Sequence, residues 1–156
     1  MNPQTSRRNT AILVGTFIMA VGGCGPRPQD TQSPGGPAEL MGPVWQWQEF
    51  QDSAEGDEAS NINVPDPSKF ALTFRPDGVA DIQADCNRVS WTYTLESNRL
   101  TFNTLGPSTT AHCGDESLDQ RFLERLGNTV SYVLADGMLY LNLKLDSGNM
   151  VFVSGE

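Results

Sequence analysis

Short apolar runs separated by turn signals fill the chain after residue 69. Asp77-Gly78 and Asp136-Gly137 each stand between two such runs, and the Asp-Gly pair supplies the positive φ angles that a tight hairpin turn requires. Ser97-Asn98 and Ser147-Gly148 mark two further turns. Hairpins in such regular succession predict an antiparallel sheet.

The hydrophobic pattern predicts about eight strands and one helix. The strands are predicted over residues 45–48, 70–74, 79–84, 89–95, 100–102, 130–134, 138–145 and 150–153. The helix has Ser117 as its N-cap candidate and Gly127 as its C-terminal stop, and its apolar residues recur at helical spacing: Leu118, Phe122, Leu123 and Leu126. We therefore predict a mainly β (α+β) fold, an antiparallel barrel-like sheet with the amphipathic helix over one opening or edge.

The N-terminal segment has the pattern of a bacterial lipoprotein signal peptide, predicted over residues 1–23. Arg7 and Arg8 form a positive region, residues 11–21 are apolar but too few to span a bilayer, and small residues precede Cys24. Acylation of Cys24 on its thiol and its new amino group would supply three acyl chains, each worth about 0.8 kcal/mol per buried methylene. The alternative is an ordinary secretory peptide that ends near Cys24.

Residues 24–43 are predicted to be the lipidated cysteine and a tether, and residues 44–156 the folded domain. Residues 25–43 hold five prolines and four glycines without hydrophobic periodicity. Such a composition cannot bury a core. As a flexible coil it would span about 25 Å on average.

The chain is strongly acidic, with a formal net charge of −9, and loss of Arg7 and Arg8 with the signal peptide would make the mature chain −11. This charge repels the phosphates of nucleic acids and of anionic lipids. We therefore expect no nucleic-acid partner, and membrane attachment through the acyl chains alone.

Two cysteines remain after Cys24, and an oxidising exterior would pair them. A bond between Cys86 and Cys113 would close a loop of about 28 residues and stabilise the domain by about 3 to 4 kcal/mol. We predict a structural disulfide.

A spaced set of motifs runs through the predicted sheet: Phe74-Arg75-Pro76-Asp77-Gly78, Cys86-Asn87-Arg88, Tyr93-Thr94-Leu95, residues 98–102, Cys113, residues 122–126 and Ser131-Tyr132. Together they resemble the META domain, also called the HslJ-like domain, over roughly residues 40–152. Asp85 and Trp91 stand where that family usually has glycine.

The resemblance implies a small extracytoplasmic β domain that is often lipid-anchored. Some members of the family are linked to heat-shock or stress phenotypes, and the family has no agreed catalytic residues. Cys86 and Cys113 match its cysteine positions, and Asn87 matches a turn or hydrogen-bonding residue.

Three groups of residues could carry chemistry. His112 beside Cys113 could activate a thiol nucleophile, although neighbours in an extended segment point their side chains apart. The same two residues with Cys86 and Asp115 could bind zinc, but the cysteines lack the close spacing of such sites. The acidic loop, residues 51–68, could bind calcium but lacks the ordered carboxylate frame. We expect no catalytic residue, metal or cofactor, and predict that the protein is not an enzyme.

The three tryptophans either fill the core or line a binding face. For all three we favour the core. Trp91 fits the core least well, because it takes a place where the resemblance leads us to expect no side chain, so Trp91 and Asn87 are the possible binding surface.

We therefore predict a lipoprotein that is anchored to the cell membrane or outer membrane by fatty acids, such as palmitate, on Cys24. Its META-like domain would bind an envelope protein or support the envelope under stress. The alternative is a small-ligand-binding barrel that uses the mouth of the barrel.

Overall fold

In the computed structural model, which describes residues 38–53 and 61–155, nine strands form one antiparallel sheet. Eight strands close into a barrel in the order β1-β3-β4-β5-β6-β7-β8-β9, because β9 pairs back onto β1. The short β2 pairs only with β1, outside this ring. The strands are β1 Val44–Gln51, β2 Ile62–Asn63, β3 Phe70–Phe74, β4 Val79–Ala84, β5 Asn87–Glu96, β6 Arg99–Asn103, β7 Thr129–Ala135, β8 Met138–Leu143 and β9 Asn149–Gly155.

The predicted fold class is confirmed, and so are the hairpin turns. Asp136 and Gly137 both have positive φ, at 54° and 75°, as a two-residue hairpin turn between right-twisted strands requires. The last predicted turn begins earlier than expected, and β8 ends at Leu143. Leu145 and Asp146 have positive φ angles of 59° and 50°, which are incompatible with an extended strand.

The length of the pairing between neighbouring strands varies around the barrel. β1 and β9 pair along their whole length, from Val44↔Gly155 to Gln51↔Asn149. β6 and β7 share one register pair, Arg99↔Ser131. The chain between these two strands is the longest described connection in the sheet, and it contains the helix.

The helix α1, Asp119–Gly127, covers one opening of the barrel and buries Phe122 and Leu126 completely. The Phe122 ring lies 5.1 Å from Trp47 of β1, 5.5 Å from Phe70 of β3 and 6.2 Å from Phe152 of β9 (centroid distances). The helix also contacts β4, β6 and β8. A helix that contacts strands on all sides of the barrel must lie over the barrel opening.

The predicted helix ends need two corrections. The residue at the N-cap is Leu118, and Ser117 acts from one position earlier, where its hydroxyl accepts the N–H of Asp119 at 3.2 Å. Gly127 ends the helix without a positive φ. A β-carbon there would lie 2.9 Å from Thr104 Cγ2, so close packing against Thr104, and not a left-handed cap, favours glycine.

The opposite opening is covered by residues 38–43, which were predicted to belong to the tether. Leu40 is completely buried, and its carbonyl oxygen accepts the indole N–H of Trp45 at 2.9 Å. Met41 bridges to Phe74 at the end of β3. The domain therefore starts earlier than predicted, because the interior needs the Leu40 side chain to fill this end.

Large apolar side chains fill the interior between these two covers. The largest of those that are fully buried are Trp47, Phe74, Phe122, Phe152, Leu40, Leu72, Ile82, Leu100, Leu126, Leu139, Leu141 and Met150. The predicted signal peptide, Cys24 and most of the predicted tether lie outside the described residues. In the described ranges, no helix has the length and apolar character needed to cross a membrane.

Candidate functional site

Two open grooves of about 690 and 810 Å³ lie at the helix end of the barrel. Both are lined by residues 113–118, which we call the ridge. On one side of the ridge the first groove reaches β2 and the start of β3. On the other side the second groove reaches residues 108–112 and Asn87.

A disulfide between Cys86 and Cys113 joins the ridge to the turn between β4 and β5, with the two Cα atoms 5.6 Å apart. The predicted pairing is confirmed. Since each sulfur is bonded to the other, neither is a free thiolate, and the hypotheses of a Cys-His nucleophile and of a zinc site through these cysteines are wrong for this state.

Asn87, the first residue of β5, holds the segment before the ridge. Its Oδ1 accepts the backbone N–H of Ala111 at 2.8 Å and the hydroxyl of Thr109 at 3.0 Å. Its Nδ2 donates to the Ala111 carbonyl oxygen at 3.0 Å and to Asp119 Oδ2 at 3.3 Å. The expected hydrogen-bonding function is confirmed, but the surface position is wrong: Asn87 is only 4% exposed, because the segment that it binds covers it.

The far end of the ridge is held by Asp85. This residue has a φ of 53° in the β4–β5 turn, which explains why the family usually has glycine there and why aspartate is tolerated. Its carboxylate accepts the Ser117 hydroxyl at 2.8 Å and pairs with Lys69 Nζ at 3.3 Å. The ridge is thus fixed to the barrel at both ends.

Residues 104–112, which we call the strap, run from the end of β6 to the ridge and continue the pairing with β5. The Ser90 N–H donates to the Pro107 carbonyl oxygen at 3.0 Å, and the Thr109 N–H donates to the Arg88 carbonyl oxygen at 3.0 Å. Val89 and Ser108 form an isolated antiparallel bridge. No apolar periodicity in the sequence indicated this pairing.

Trp91 lies in the core, as favoured for all three tryptophans, and its assignment to a possible binding surface is wrong. It is 6% exposed and its ring centroid lies 6.2 Å from that of Phe102. Gly106 makes room for it, since a β-carbon there would approach Trp91 Cδ1 to 3.2 Å. Gly127 adjoins the other end of the indole, where a β-carbon would lie in ordinary contact, 3.9 Å from Trp91 Cη2. Trp45 and Trp47 are also buried, as favoured.

Charged side chains of both signs line the grooves, and acids predominate. The first groove has Asp66, Asp85, Asp115 and Glu116 against Lys69 and Arg121. Where the strap meets the ridge, His112 Nε2 lies 3.4 Å from Asp115 Oδ1, with side chains 80% and 99% exposed. On the buried side of α1, Arg125 lies 4.0 Å over the Phe50 ring, and burial lowers the pKa of its guanidinium.

The described residues contain no group of three or more His, Cys, Asp or Glu side chains placed to hold a metal ion. Of the acidic loop that could bind calcium, the described residues include Asp52 and Asp66, and neither belongs to such a group. The central acids of that loop, Glu55, Asp57 and Glu58, lie outside the described residues.

These features define a small closed antiparallel barrel, covered by one helix and fastened by a disulfide. The family model of the META domain matches residues 38–155. The chain therefore belongs to the META domain family.

Two solved structures share the fold. A DUF4847 family protein from Bacteroides vulgatus ATCC 8482 is 16% identical with a TM-score of 0.55, covering 74% of this chain and 94% of its own. A protein from Burkholderia xenovorans, solved by NMR, is 20% identical with a TM-score of 0.56, covering 83% of this chain and 98% of its own. No curated protein matches the chain significantly in sequence.

Proposed function

We propose that this protein is a lipid-anchored envelope protein whose META domain is a non-catalytic module that binds another protein through the ridge. The observation that carries the proposal is a ridge that is fixed at both ends, by the disulfide and by Asp85, while its carboxylates stay exposed. A surface that is already ordered loses little conformational entropy when a partner binds.

The disulfide supports a location outside the reducing cytoplasm. The lipoprotein signal pattern that ends at Cys24 supports attachment by acyl chains. Residues 38–43 enter the domain at the end opposite to α1, so the point where the tether joins the domain does not cover the ridge or the grooves.

The arrangement of the ridge favours binding over catalysis. An active site needs titratable groups that converge in a cleft, whereas Asp115 and His112 extend into solvent. The alternative of a small ligand in the barrel mouth has less support, because α1 covers one mouth and residues 38–43 the other.

The test is purification of the lipidated protein from its native envelope, followed by mass spectrometry of co-purifying chains. The double variant Asp115→Asn/Glu116→Gln changes only ridge charge. Asp136→Asn, at the opposite end of the barrel, is the matched control. We expect one envelope chain to be depleted about tenfold in the ridge variant, which corresponds to about 1.4 kcal/mol, and retained in the control. An identical set of chains from both variants would refute binding through the ridge.

A further inference from the structure

The strap is held to the barrel without an apolar anchor. Every residue from 104 to 112 is exposed, and Leu105, its largest apolar side chain, is 89% exposed. Burial of apolar surface is the main force that keeps loops closed. The strap therefore depends on hydrogen bonds and on its covalent link.

The part of β5 that lies next to the strap, in contrast, carries buried side chains. Asn87, Val89 and Trp91 of β5 are at most 6% exposed. The backbone of β5 from Arg88 to Ser90 uses the strap as its pairing partner on this edge. Displacement of the strap would leave an unpaired strand edge, which is a template for pairing with another chain.

We propose that the Cys86–Cys113 bond is a redox switch that keeps the strap paired with β5 while the bond is oxidised. Reduction by a dithiol releases residues 104–112 from β5, and the barrel stays folded. This inference does not depend on the proposed function, since it concerns the domain alone.

The chemistry is a thiol–disulfide exchange in two steps. A thiolate of the dithiol attacks one sulfur, and Cys86 is the more exposed of the two residues. A mixed disulfide forms, and the electron pair of the broken bond goes to Cys113 Sγ, which takes up a proton. The second thiol then displaces Cys86, so that the dithiol is oxidised to a disulfide and the protein gains two hydrogens.

Cys113 is suited to be the leaving sulfur. The backbone N–H of Cys86 and the side-chain Nδ2 of Asn87 both lie 3.3 Å from its Sγ. N–H donors stabilise a thiolate, and a better-stabilised thiolate leaves faster.

The pairings of β5 with its two neighbouring strands do not involve the strap. β5 remains paired with β4 from Asn87 to Thr92 and with β6 from Thr92 to Glu96. The ridge also keeps the Ser117–Asp85 hydrogen bond at 2.8 Å. Local opening below the global unfolding barrier is expected for a segment with few buried contacts.

The experiment is residue-resolved amide hydrogen exchange by NMR on the full chain carrying Cys24→Ala, which removes the third thiol, with and without dithiothreitol. On reduction we expect exchange of the Ser90 and Thr109 amides to rise at least about tenfold more than exchange of the β8 and β9 amides, whose rise reports the lost global stabilisation. Cys113→Ser, left unreduced, should reproduce the reduced pattern.

Two results would overturn the proposal. Unchanged exchange at Ser90 and Thr109 after complete reduction would show that hydrogen bonds alone hold the strap. An equal rise at all amides would show that the bond stabilises the whole barrel and that no separate release exists.

Discussion

At the scale of single residues, the arrangement around the disulfide depends on Asn87. Its carboxamide pairs with both backbone groups of Ala111, as a neighbouring strand would, and the side chain is almost fully buried. Removal of a buried amide that makes several hydrogen bonds destabilises the folded state, because each of its partners then lacks a hydrogen bond.

We expect Asn87→Ala to lower the free energy of unfolding by about 2 to 3 kcal/mol, since it leaves the Ala111 N–H and the Thr109 hydroxyl without their acceptor. Urea denaturation measures this. The control is Asn98→Ala in an exposed turn, for which a change within about 0.5 kcal/mol is expected. Equal effects of the two substitutions would contradict the function assigned to Asn87.

Trp91→Gly brings the chain towards the usual family pattern, yet we expect it to destabilise the domain by about 3 to 5 kcal/mol. The tryptophan fills space between Gly106 and Gly127 that a single glycine would leave empty. Thermal unfolding followed by circular dichroism is the measurement. An unchanged midpoint would mean that Trp91 is not a core residue.

At the scale of elements, the strap takes the place of a continued β6. β6 pairs with β5 as far as Asn103↔Thr92, and residues 107–109 then pair with Arg88 to Ser90. Gly106 lies at the transition, where a β-carbon would overlap the Ser90 carbonyl oxygen. The close approach of two backbones at this point requires glycine.

Gly106→Ala should displace the strap and cost about 1 to 3 kcal/mol, because the added methyl group meets backbone that cannot move aside easily. Ser108→Ala, in the same exposed segment, is the matched control. Urea denaturation of both variants, together with exchange of the Ser90 amide, tests this. If Gly106→Ala behaves like Ser108→Ala in both measurements, the close approach is not a constraint.

At the scale of the whole molecule, the chain covers both openings of its own barrel. Residues 38–43 cover one end and α1 covers the other, so the point where the chain enters the domain lies opposite to the ridge. The covering segment that follows the predicted tether therefore leaves the ridge and both grooves uncovered.

Cys24→Ala should abolish incorporation of a clickable fatty acid and block maturation at this site, because the acyl chains that carry the membrane affinity of the mature chain are attached to Cys24. Cys113→Ala, which keeps the signal intact, should retain the label. Labelling that persists in Cys24→Ala would refute the lipoprotein prediction.

Much of the strand pattern was predictable from local sequence. The φ angles at Gly78 and at Asp136-Gly137 depend on residue type at those positions, and the alternation in β3 and β4 shows directly which side chains face inward. The Cys86–Cys113 pair could also be predicted, since two cysteines in an oxidising compartment allow only one intramolecular bond.

The candidate site depended on residues that are distant in sequence. Trp91 was named as a possible surface residue because the resemblance leads us to expect no side chain there, and the space beside Gly106 that receives its ring exists only after the barrel has closed. Asn87 was predicted at the surface because nothing in the sequence indicates that Ala111 pairs with its side chain. By itself the sequence determined the turns, the strands and the helix, whose signals lie within a few residues of each other. Only the tertiary structure decided which side chains the strap and the two covers bury, because burial is set by whichever distant segment packs against a residue.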